Sequence, residues 1–273
     1  MKEDNIRQAR FAGQFYPSGV KELNSRISGF LDKENKKQDC IACILPHAGY
    51  DYSGNVAAQT VSRIKLKEKI ILLGPNHTGA GSDFSIMTQG GWETPLGEIK
   101  IDQALAEALL KEAPELKIDT KAHANEHSLE VELPFLQYFK TNFQIIPIAF
   151  LSDNLLALKK MGQAIASCIE KLKIKDSTLI VASSDMTHYE PQAQAEKKDH
   201  LAIEAILQLN EEKLFQLINQ YNITMCGFAP VIAMLSAAKS LGAKKGELVR
   251  YQTSGDTTGD TSAVVGYAGV IIY

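Results

Sequence analysis

The sequence predicts an α/β fold, a single domain with a largely parallel central sheet flanked by helices. Apolar runs rich in β-branched residues alternate along the chain with stretches of helical spacing, which is the order typical of such folds. Residues 69–79, KIILLGPNHTG, show the strand pattern most clearly, because an apolar run stops at Gly-Pro, as buried parallel strands do. No stretch reads as a linker, so residues 1–273 are expected to form one domain.

The predicted elements follow one another in a regular order. Strands are predicted where apolar runs are bounded by turn residues, at residues 40–45, 70–77, 143–150, 177–182, 247–253 and 263–272. Helices are predicted where apolar residues recur every three or four positions, at residues 20–31, 55–64, 102–113, 154–171 and 225–241, with two or more helices within 193–221. The last two strands, joined by SGDTTGDTS, are expected to form an antiparallel pair.

Three stretches are less regular. Residues 49–54 begin and end with glycine and are predicted to form a turn-rich loop before the second helix. Residues 84–101 have the pattern of a hairpin-like excursion around Gly-Gly and Pro-Leu-Gly. Residues 121–140 place two histidines and three glutamates ahead of an apolar helical face, and Pro134 within that pattern predicts a helix that starts late or is kinked.

Composition limits the classes of function. The net charge of -3 and the pI of about 6.1 give no electrostatic basis for binding nucleic acid or a membrane surface. The most apolar run, residues 263–273, is well short of the roughly 20 residues that a spanning helix needs. The N-terminal stretch 1–18 lacks the apolar core of a signal peptide. We therefore predict a cytoplasmic protein, whose four cysteines do not form a disulfide framework.

Polar residues with catalytic chemistry follow the ends of three predicted strands. His47 comes just after the first strand, His77 ends the second, and Asp185 and His188 follow the fourth. One histidine near a strand end is more often a hydrogen-bonded structural residue than a ligand. In a parallel sheet, however, these strand ends meet at one edge, where α/β proteins bind their ligands. The three strand ends together therefore predict a common metal or catalytic site.

Cys226 is a further candidate because it directly precedes Gly-Phe-Ala-Pro at a predicted helix N-terminus. The helix dipole is expected to lower the pKa of the thiol and to favour the thiolate, which is both a nucleophile and a soft metal ligand. The alternative is a small buried apolar residue, as most free cysteines are. The other three cysteines, Cys40, Cys43 and Cys168, are expected in the core.

Glu126 and His127 admit two interpretations. They form either the polar start of a helix, where the helix dipole favours glutamate, or a part of the pocket that supports the ligands or binds substrate. Asn76 enters the loop at the end of the second strand and is counted with the pocket. His123 and His200 are expected at the surface, with no role assigned.

Six motifs in this sequence resemble those of the Memo family, in the same order and along nearly the whole chain. They are LPHAGYDYSG, LLGPNHTG, NEHSLEVELPFLQ, SSDMTHY, MCGFAP and SGDTTGD. The resemblance implies a fold similar to that of class III extradiol dioxygenases, which are non-haem iron enzymes. It also implies that His47, His77 and Cys226 are metal-ligand positions, with Asp185 and His188 lining the same pocket. In the dioxygenases the third ligand is a carboxylate, and His188 would take the place of their acid/base histidine.

The leading hypothesis is a metal-dependent redox enzyme that holds iron or copper at His47, His77 and Cys226. His188, oriented by Asp185, would move protons for a small-molecule substrate. Hydrolysis by zinc-bound water, with His188 as general base, is a second enzymatic alternative. The non-enzymatic alternative is a scaffold that binds a peptide or phosphopeptide in the same pocket. The resemblance also implies a functional link to radical-SAM and AMMECR-type proteins, with which microbial Memo proteins are grouped.

Overall fold

The computed structural model describes residues 6–32 and 36–273, and expectations for residues 1–5 lie outside this range. The predicted mixed α/β fold is confirmed, with helices on both faces of a central sheet. In chain order, strands β1 to β12 are Ile6–Arg7, Ala42–Leu45, Lys69–Pro75, Phe84–Ile86, Gly91–Thr94, Gly97–Lys100, Lys117–Ile118, Gln144–Phe150, Thr178–Ser183, His188–Glu190, Gly246–Thr253 and Val264–Ile272. Helices α1 to α10 are Val20–Gly29, Tyr50–Ser62, Gln103–Glu112, Lys121–Ala124, Leu133–Phe139, Leu155–Leu172, Gln192–Leu207, Glu211–Tyr221, Phe228–Ser240 and Gly255–Thr258, and a short 3₁₀ helix spans Lys175–Ser177.

The main sheet has a parallel centre and mixed flanks. Its strand order is β10, β12, β2, β9, β3, β8, β4, β7, and β11 pairs with β12. Strands β2, β9, β3 and β8 are parallel, whereas β12 is antiparallel to β2 and β4 is antiparallel to β8. Side chains alternate along β3, so Ile71 and Leu73 enter one hydrophobic cluster while Ile70 and Leu72 enter the other. Helices α6 and α9 contribute to the first cluster, and α2 and α5 to the second, which explains the continuous apolar strands.

Parallel pairing brings the segments that follow the central strands to one edge of the sheet. Leu45 at the end of β2 pairs with Ser183 at the end of β9, and the Ser184 amide donates to the Leu45 carbonyl at 2.9 Å. Strand β3 lies on the other side of β9 in the same direction. The residues that follow these three strands, including His47 and His77, therefore emerge side by side.

The prediction of a loop before the second helix is wrong, because α2 already begins at Tyr50. Tyr50 is buried, stacks on Phe135 with 4.2 Å between ring centroids, and donates its hydroxyl hydrogen to the Val131 carbonyl at 2.9 Å. Gly54 lies inside the helix, and a Cβ at this position would come within 2.5 Å of the Phe30 ring. The glycine therefore permits close helix packing and does not mark a turn.

The two other irregular stretches follow their predictions in part. Strands β5 and β6 form an antiparallel hairpin that joins β1 in a separate small sheet. Strand β4 was also expected in this excursion, but it pairs with β8 in the main sheet. Helix α5 begins at Leu133 with Pro134 in its first turn, so the late start is the correct alternative. Asp102 caps α3, since its side chain accepts a hydrogen bond from the Leu105 amide.

His123 was expected at the surface, but it is completely buried. Its Nε2 atom lies 3.1 Å from the Ser85 carbonyl oxygen, and its ring meets the Trp92 ring edge to face at 5.8 Å between centroids. The short helix α4 directs this side chain toward the interior, where it packs against Trp92. His200 is exposed, as predicted.

We expect acid to destabilise the protein because His123 is buried in its neutral form. Burial lowers the pKa of His123 to about 4, whereas an unfolded histidine titrates near about 6.5. Between these two pH values the unfolded chain binds a proton that the folded protein does not, so stability falls as the pH falls through this window. The full difference is worth at most about 3 kcal/mol. We expect His123→Gln to lose less stability than the wild type between pH 7 and pH 4.5 in urea denaturation.

The control for this measurement is His200→Gln, which changes an exposed histidine and should keep the wild-type pH dependence. An unchanged pH dependence in His123→Gln would show that other groups govern acid unfolding.

Among the described residues, no helix combines the length and apolar character needed to cross a membrane.

Candidate metal centre

Three side chains from distant parts of the chain meet at the sheet edge. One ligand atom each from His47, His77 and Cys226 lie within 4.8 Å of one another. The Cys226 Sγ atom is 3.3 Å from His47 Nε2, and the two imidazole rings are 5.2 Å apart between centroids. His47 is buried, while His77 and Cys226 retain some exposure. The group therefore offers two nitrogen donors and one sulfur donor at a site that reaches the surface.

His47 is held by a serine at the end of strand β9. Its Nδ1 atom is 2.7 Å from Ser183 Oγ, and that hydroxyl donates to the Ser128 carbonyl at 2.8 Å. Because the serine hydrogen is used on the carbonyl, Nδ1 of His47 must be the donor of the first bond. Burial, reinforced by the neighbouring histidines, keeps the pKa of His47 well below its usual range. The ring is therefore neutral, with the Nε2 lone pair available to a metal ion.

His77 is oriented by Glu126. The Nδ1 atom of His77 is 2.9 Å from Glu126 Oε1, and the His77 amide donates to Oε2 at 2.5 Å. The Ser128 amide also donates to Oε1, at 2.9 Å. Burial alone would raise the pKa of Glu126, but the bonds and charges of His77, Ser128 and His127 outweigh it and lower the pKa to about 2. A charged carboxylate thus fixes Nδ1–H and leaves Nε2 of His77 free.

His127 lies in the pocket beside the two ligand candidates. Its ring stacks on His77 at 4.6 Å and meets His47 at 5.3 Å between centroids. Its Nδ1 atom is 3.4 Å from Glu126 Oε1, and His77, Glu126 and His127 form a second group with ligand atoms within 4.8 Å. In this second group the carboxylate already accepts from His77, so it serves as a support for the first group. Of the two interpretations of Glu126 and His127, the geometry agrees with the pocket.

Asp185 and Cys226 are linked through the main chain. The Asp185 carboxylate accepts from the His47 amide at 2.8 Å, and the Asp185 amide donates to Cys226 Sγ at 3.3 Å. Burial raises the pKa of Asp185 to about 6, against the opposing hydrogen bond from His47. Burial and the charge of Asp185 also raise the pKa of the Cys226 thiol well above its usual range. The predicted lowering is wrong, because desolvation outweighs the dipole of a helix that begins only at Phe228.

The glycine after Cys226 is a site residue that the sequence pattern did not single out. A Cβ on Gly227 would lie 2.1 Å from the Ser183 carbonyl oxygen and 2.5 Å from Ser184 Cβ. The Gly227 amide donates to Ser184 Oγ at 3.0 Å. Only glycine allows the start of α9 to approach strand β9 this closely. The Cys-Gly pair in the motif MCGFAP was the available signal.

His188 is oriented by main-chain carbonyls and not by Asp185 as expected. Its Nδ1 atom lies 2.8 Å from the Met186 oxygen and 2.9 Å from the Thr224 oxygen. Both partners only accept, so Nδ1 carries the hydrogen and Nε2 has the lone pair. A charge on His188 affects the pKa of both His47 and Asp185, which places it near the pocket. His188 is not a member of either ligand group formed by the described residues.

Asn76 shapes the loop that carries His77. Its Oδ1 atom accepts from the Thr78 amide at 3.0 Å and from the Thr78 hydroxyl at 2.8 Å. Its amide nitrogen donates to the Ala80 carbonyl at 2.6 Å. These bonds occupy the side chain, so Asn76 supports the loop conformation rather than a ligand.

A bulge in β10 separates His188, which pairs with β12, from Tyr189, which does not. The pairing with β12 skips Tyr189, whose φ of 59° lies in the left-handed region. The three other non-glycine residues with positive φ in the described part of the chain, Lys173, Leu209 and Asn222, follow helix ends, where this conformation is common. Tyr189 instead lies beside the site and is 78% exposed. Such bulges re-aim neighbouring side chains next to functional sites, here His188.

Replacing Tyr189 by glycine should stabilise the protein. The left-handed conformation costs a non-glycine residue about 1 kcal/mol or somewhat more, and the exposed ring loses little on removal. We expect Tyr189→Gly to raise the free energy of unfolding by about 1 kcal/mol in urea denaturation. The matched variant Tyr189→Phe keeps the strain and should stay close to the wild type. A glycine variant less stable than the phenylalanine variant would mean that ring contacts outweigh the strain.

Comparison with known proteins identifies the family. Residues 7–271 match the family described as Memo-like protein. The MEMO1 family protein of Aquifex aeolicus is 47% identical over 270 residues, covering 97% of this chain and 98% of its own. MEMO1 family protein MK0963 of Methanopyrus kandleri is 42% identical over 279 residues, with the same shares covered. MEMO1 family protein MJ0403 of Methanocaldococcus jannaschii is 43% identical over 288 residues, covering 98% and 99%.

A solved structure shares the fold. Uncharacterized protein JW3007 from Escherichia coli K12 superposes with a TM-score of 0.56 at 13% identity, covering 85% of this chain and 99% of its own. At this identity the likeness concerns the fold alone. The family match over nearly the whole chain and the relatives above 40% identity carry the assignment. This chain belongs to the Memo-like family.

Proposed function

We propose that this protein binds one iron or copper ion through His47, His77 and Cys226 and uses it for redox chemistry on a small molecule. The observation that carries the proposal is the convergence of their ligand atoms within 4.8 Å. The anchoring of both histidines through Nδ1, by Ser183 and Glu126, adds to it. Metal-binding histidines commonly have such partners, which fix the ring and present the other nitrogen.

The donor set fits iron or copper. Imidazole nitrogen suits both metals, and a thiolate is a soft donor that favours copper in its reduced state. Three protein donors leave coordination positions open for a substrate or water, as in catalytic sites. The bound ion would supply a Lewis acid and a one-electron redox centre. The same set can hold zinc, so the metal content must decide between redox chemistry and hydrolysis.

Four residues of the chain support the reaction without binding the ion. Glu126 and Ser183 hold the two imidazole rings in place. Asp185 fixes the main chain of His47 by accepting its amide hydrogen. His188 has a free Nε2 lone pair and a fixed Nδ1–H, which suits a group that takes a proton from substrate and returns it to product.

The test is elemental analysis of the untagged protein purified without added metal. We expect stoichiometric iron or copper in the wild type and in the control His200→Ala, and loss of the metal in Cys226→Ala and His47→Ala. Full occupancy in His47→Ala would rule out this ligand set. Oxygen consumption with catechols and thiols then tests the redox step, and zinc without oxygen consumption would indicate hydrolysis instead.

We place this activity in the cytoplasm. All four cysteines are free, which suits a reducing compartment. The functional link to radical-SAM and AMMECR-type proteins and the peptide-binding alternative stay predictions from the resemblance. Both can be tested separately by co-purification and by titration with a phosphotyrosine peptide.

A further inference from the structure

The N-terminal segment, residues 7–16, is fastened to the loop that carries Glu126 and His127. The Arg7 guanidinium donates to the His123 carbonyl at 2.6 Å and to the Glu126 carbonyl at 2.7 Å. It also donates to Glu130 Oε2 at 2.5 Å, and its Cζ atom lies over the Trp92 ring, 4.2 Å from the ring centroid. A single buried arginine thus holds the main chain of the loop on both sides of Ala124 and Asn125.

Glu130 is the second fastening point, and it collects four donors from the segment. Its Oε1 atom accepts from the Phe11 amide at 2.8 Å and the Tyr16 hydroxyl at 2.7 Å. Its Oε2 atom accepts from the Arg10 amide at 3.1 Å and from Arg7. The Glu130 side chain is completely buried. Displacing the segment would therefore leave an unpaired charge in the protein interior, which is strongly unfavourable.

This fastening places two aromatic rings in contact with the His127 ring. We call Phe11 and Phe15 the aromatic wall. The ring centroid of Phe15 lies 4.8 Å from that of His127, and the Phe11 centroid lies 5.6 Å from it. His127 in turn contacts His47 and His77. The Phe15 carbonyl also accepts from the amide of Tyr50 at 2.8 Å, which closes the wall against helix α2.

We propose that Arg7 and Glu130 are positioning residues that hold the aromatic wall as the outer boundary of the pocket and thereby limit which molecules reach Cys226. Neither residue is in the ligand set, so their effect passes through the aromatic wall and through the loop that carries Glu126 and His127. The proposal rests on the proposed function only in taking the pocket around Cys226 as the working site. It deepens that function by assigning the control of access to Cys226, and hence of the size of substrate admitted, to the buried Arg7–Glu130 ion pair.

The test uses the reactivity of Cys226 in the full chain after metal removal with a chelator. Cys226 is the one cysteine with partial exposure, whereas Cys40, Cys43 and Cys168 are buried. Alkylation is followed by peptide mass spectrometry with iodoacetamide and with a bulky maleimide. The variants are Glu130→Gln and Phe15→Ala, and the control is Glu115→Gln, which changes an exposed glutamate. Labelling of Cys43 reports global unfolding within the same sample.

We expect the bulky reagent to label Cys226 about tenfold faster in Glu130→Gln than in the wild type. The reason is that a glutamine side chain cannot accept the four hydrogen bonds that Glu130 accepts. Phe15→Ala should accelerate the same reaction without disturbing Glu130. The small reagent should respond less than the bulky one, and Cys43 should stay protected. Wild-type Cys226 rates in either variant would overturn the proposal, as would equal acceleration of Cys226 and Cys43. Labelling does not depend on bound metal, so this result is independent of the metal analysis.

Discussion

Replacing Gly227 by alanine should abolish the proposed metal binding and destabilise the protein. The new Cβ would lie 2.1 Å from the Ser183 carbonyl oxygen and 2.5 Å from Ser184 Cβ. The first of these atoms is backbone at the end of a central strand, so the start of α9 must shift. Overpacking of this kind costs about 1–3 kcal/mol. The shift moves Cys226 directly, and a ligand displaced by about 1 Å no longer completes a site.

The measurement is metal content together with urea denaturation of Gly227→Ala. The matched control is Gly29→Ala, since a Cβ at Gly29 would meet nothing within 4 Å. The control should keep its metal and lose no stability, since alanine in a helix is more favourable than glycine by up to about 1 kcal/mol. A Gly227→Ala variant with wild-type metal content would show that α9 can adjust without moving the sulfur.

Replacing Glu126 by glutamine should weaken the proposed metal binding about 10- to 100-fold, because partners of metal-binding histidines have effects of this size. The carboxylate accepts three hydrogen bonds, two from His77 and one from the Ser128 amide. A glutamine has one acceptor oxygen, so its amide group must face at least one of these donors. The imidazole of His77 then loses both its fixed orientation and its negatively charged partner.

The affinity can be measured by competition with a chelator of known metal affinity. Glu170→Gln changes an exposed glutamate and provides the control. Equal affinities of Glu126→Gln and wild type would mean that His77 is held in place by the loop alone. A loss of stability that matches the loss of affinity would indicate a structural role, so both quantities must be measured on the same samples.

The sequence predicted the sheet and the convergence of strand ends because both depend on local patterns. The apolar runs around strands β2, β3 and β9 identified buried parallel strands, and parallel strands end at one edge. His47, His77 and Asp185 could therefore be placed together without knowing any contact. The pairing of strand ends is a consequence of topology, which the order of elements largely determines.

Other features depend on contacts between distant residues and were not predictable from local patterns. Helix α2 begins earlier than predicted, at Tyr50, because Tyr50 stacks on Phe135 across the core. The pKa of the Cys226 thiol rises because tertiary structure encloses it, although its helix position alone indicates the opposite. The orientation of His188 depends on the carbonyl of Thr224, which is 36 positions away in sequence.

The three proposed ligands also determine when during biosynthesis the centre can form. His47 and Cys226 are 179 residues apart, yet their ligand atoms are 3.3 Å apart in the folded protein. Contacts of such long range form only after the intervening strands have paired, and their closure is slow. During translation the two histidines leave the ribosome long before the cysteine. Metal loading is therefore expected to follow complete synthesis and folding, so the growing chain would not present the finished site to competing ions.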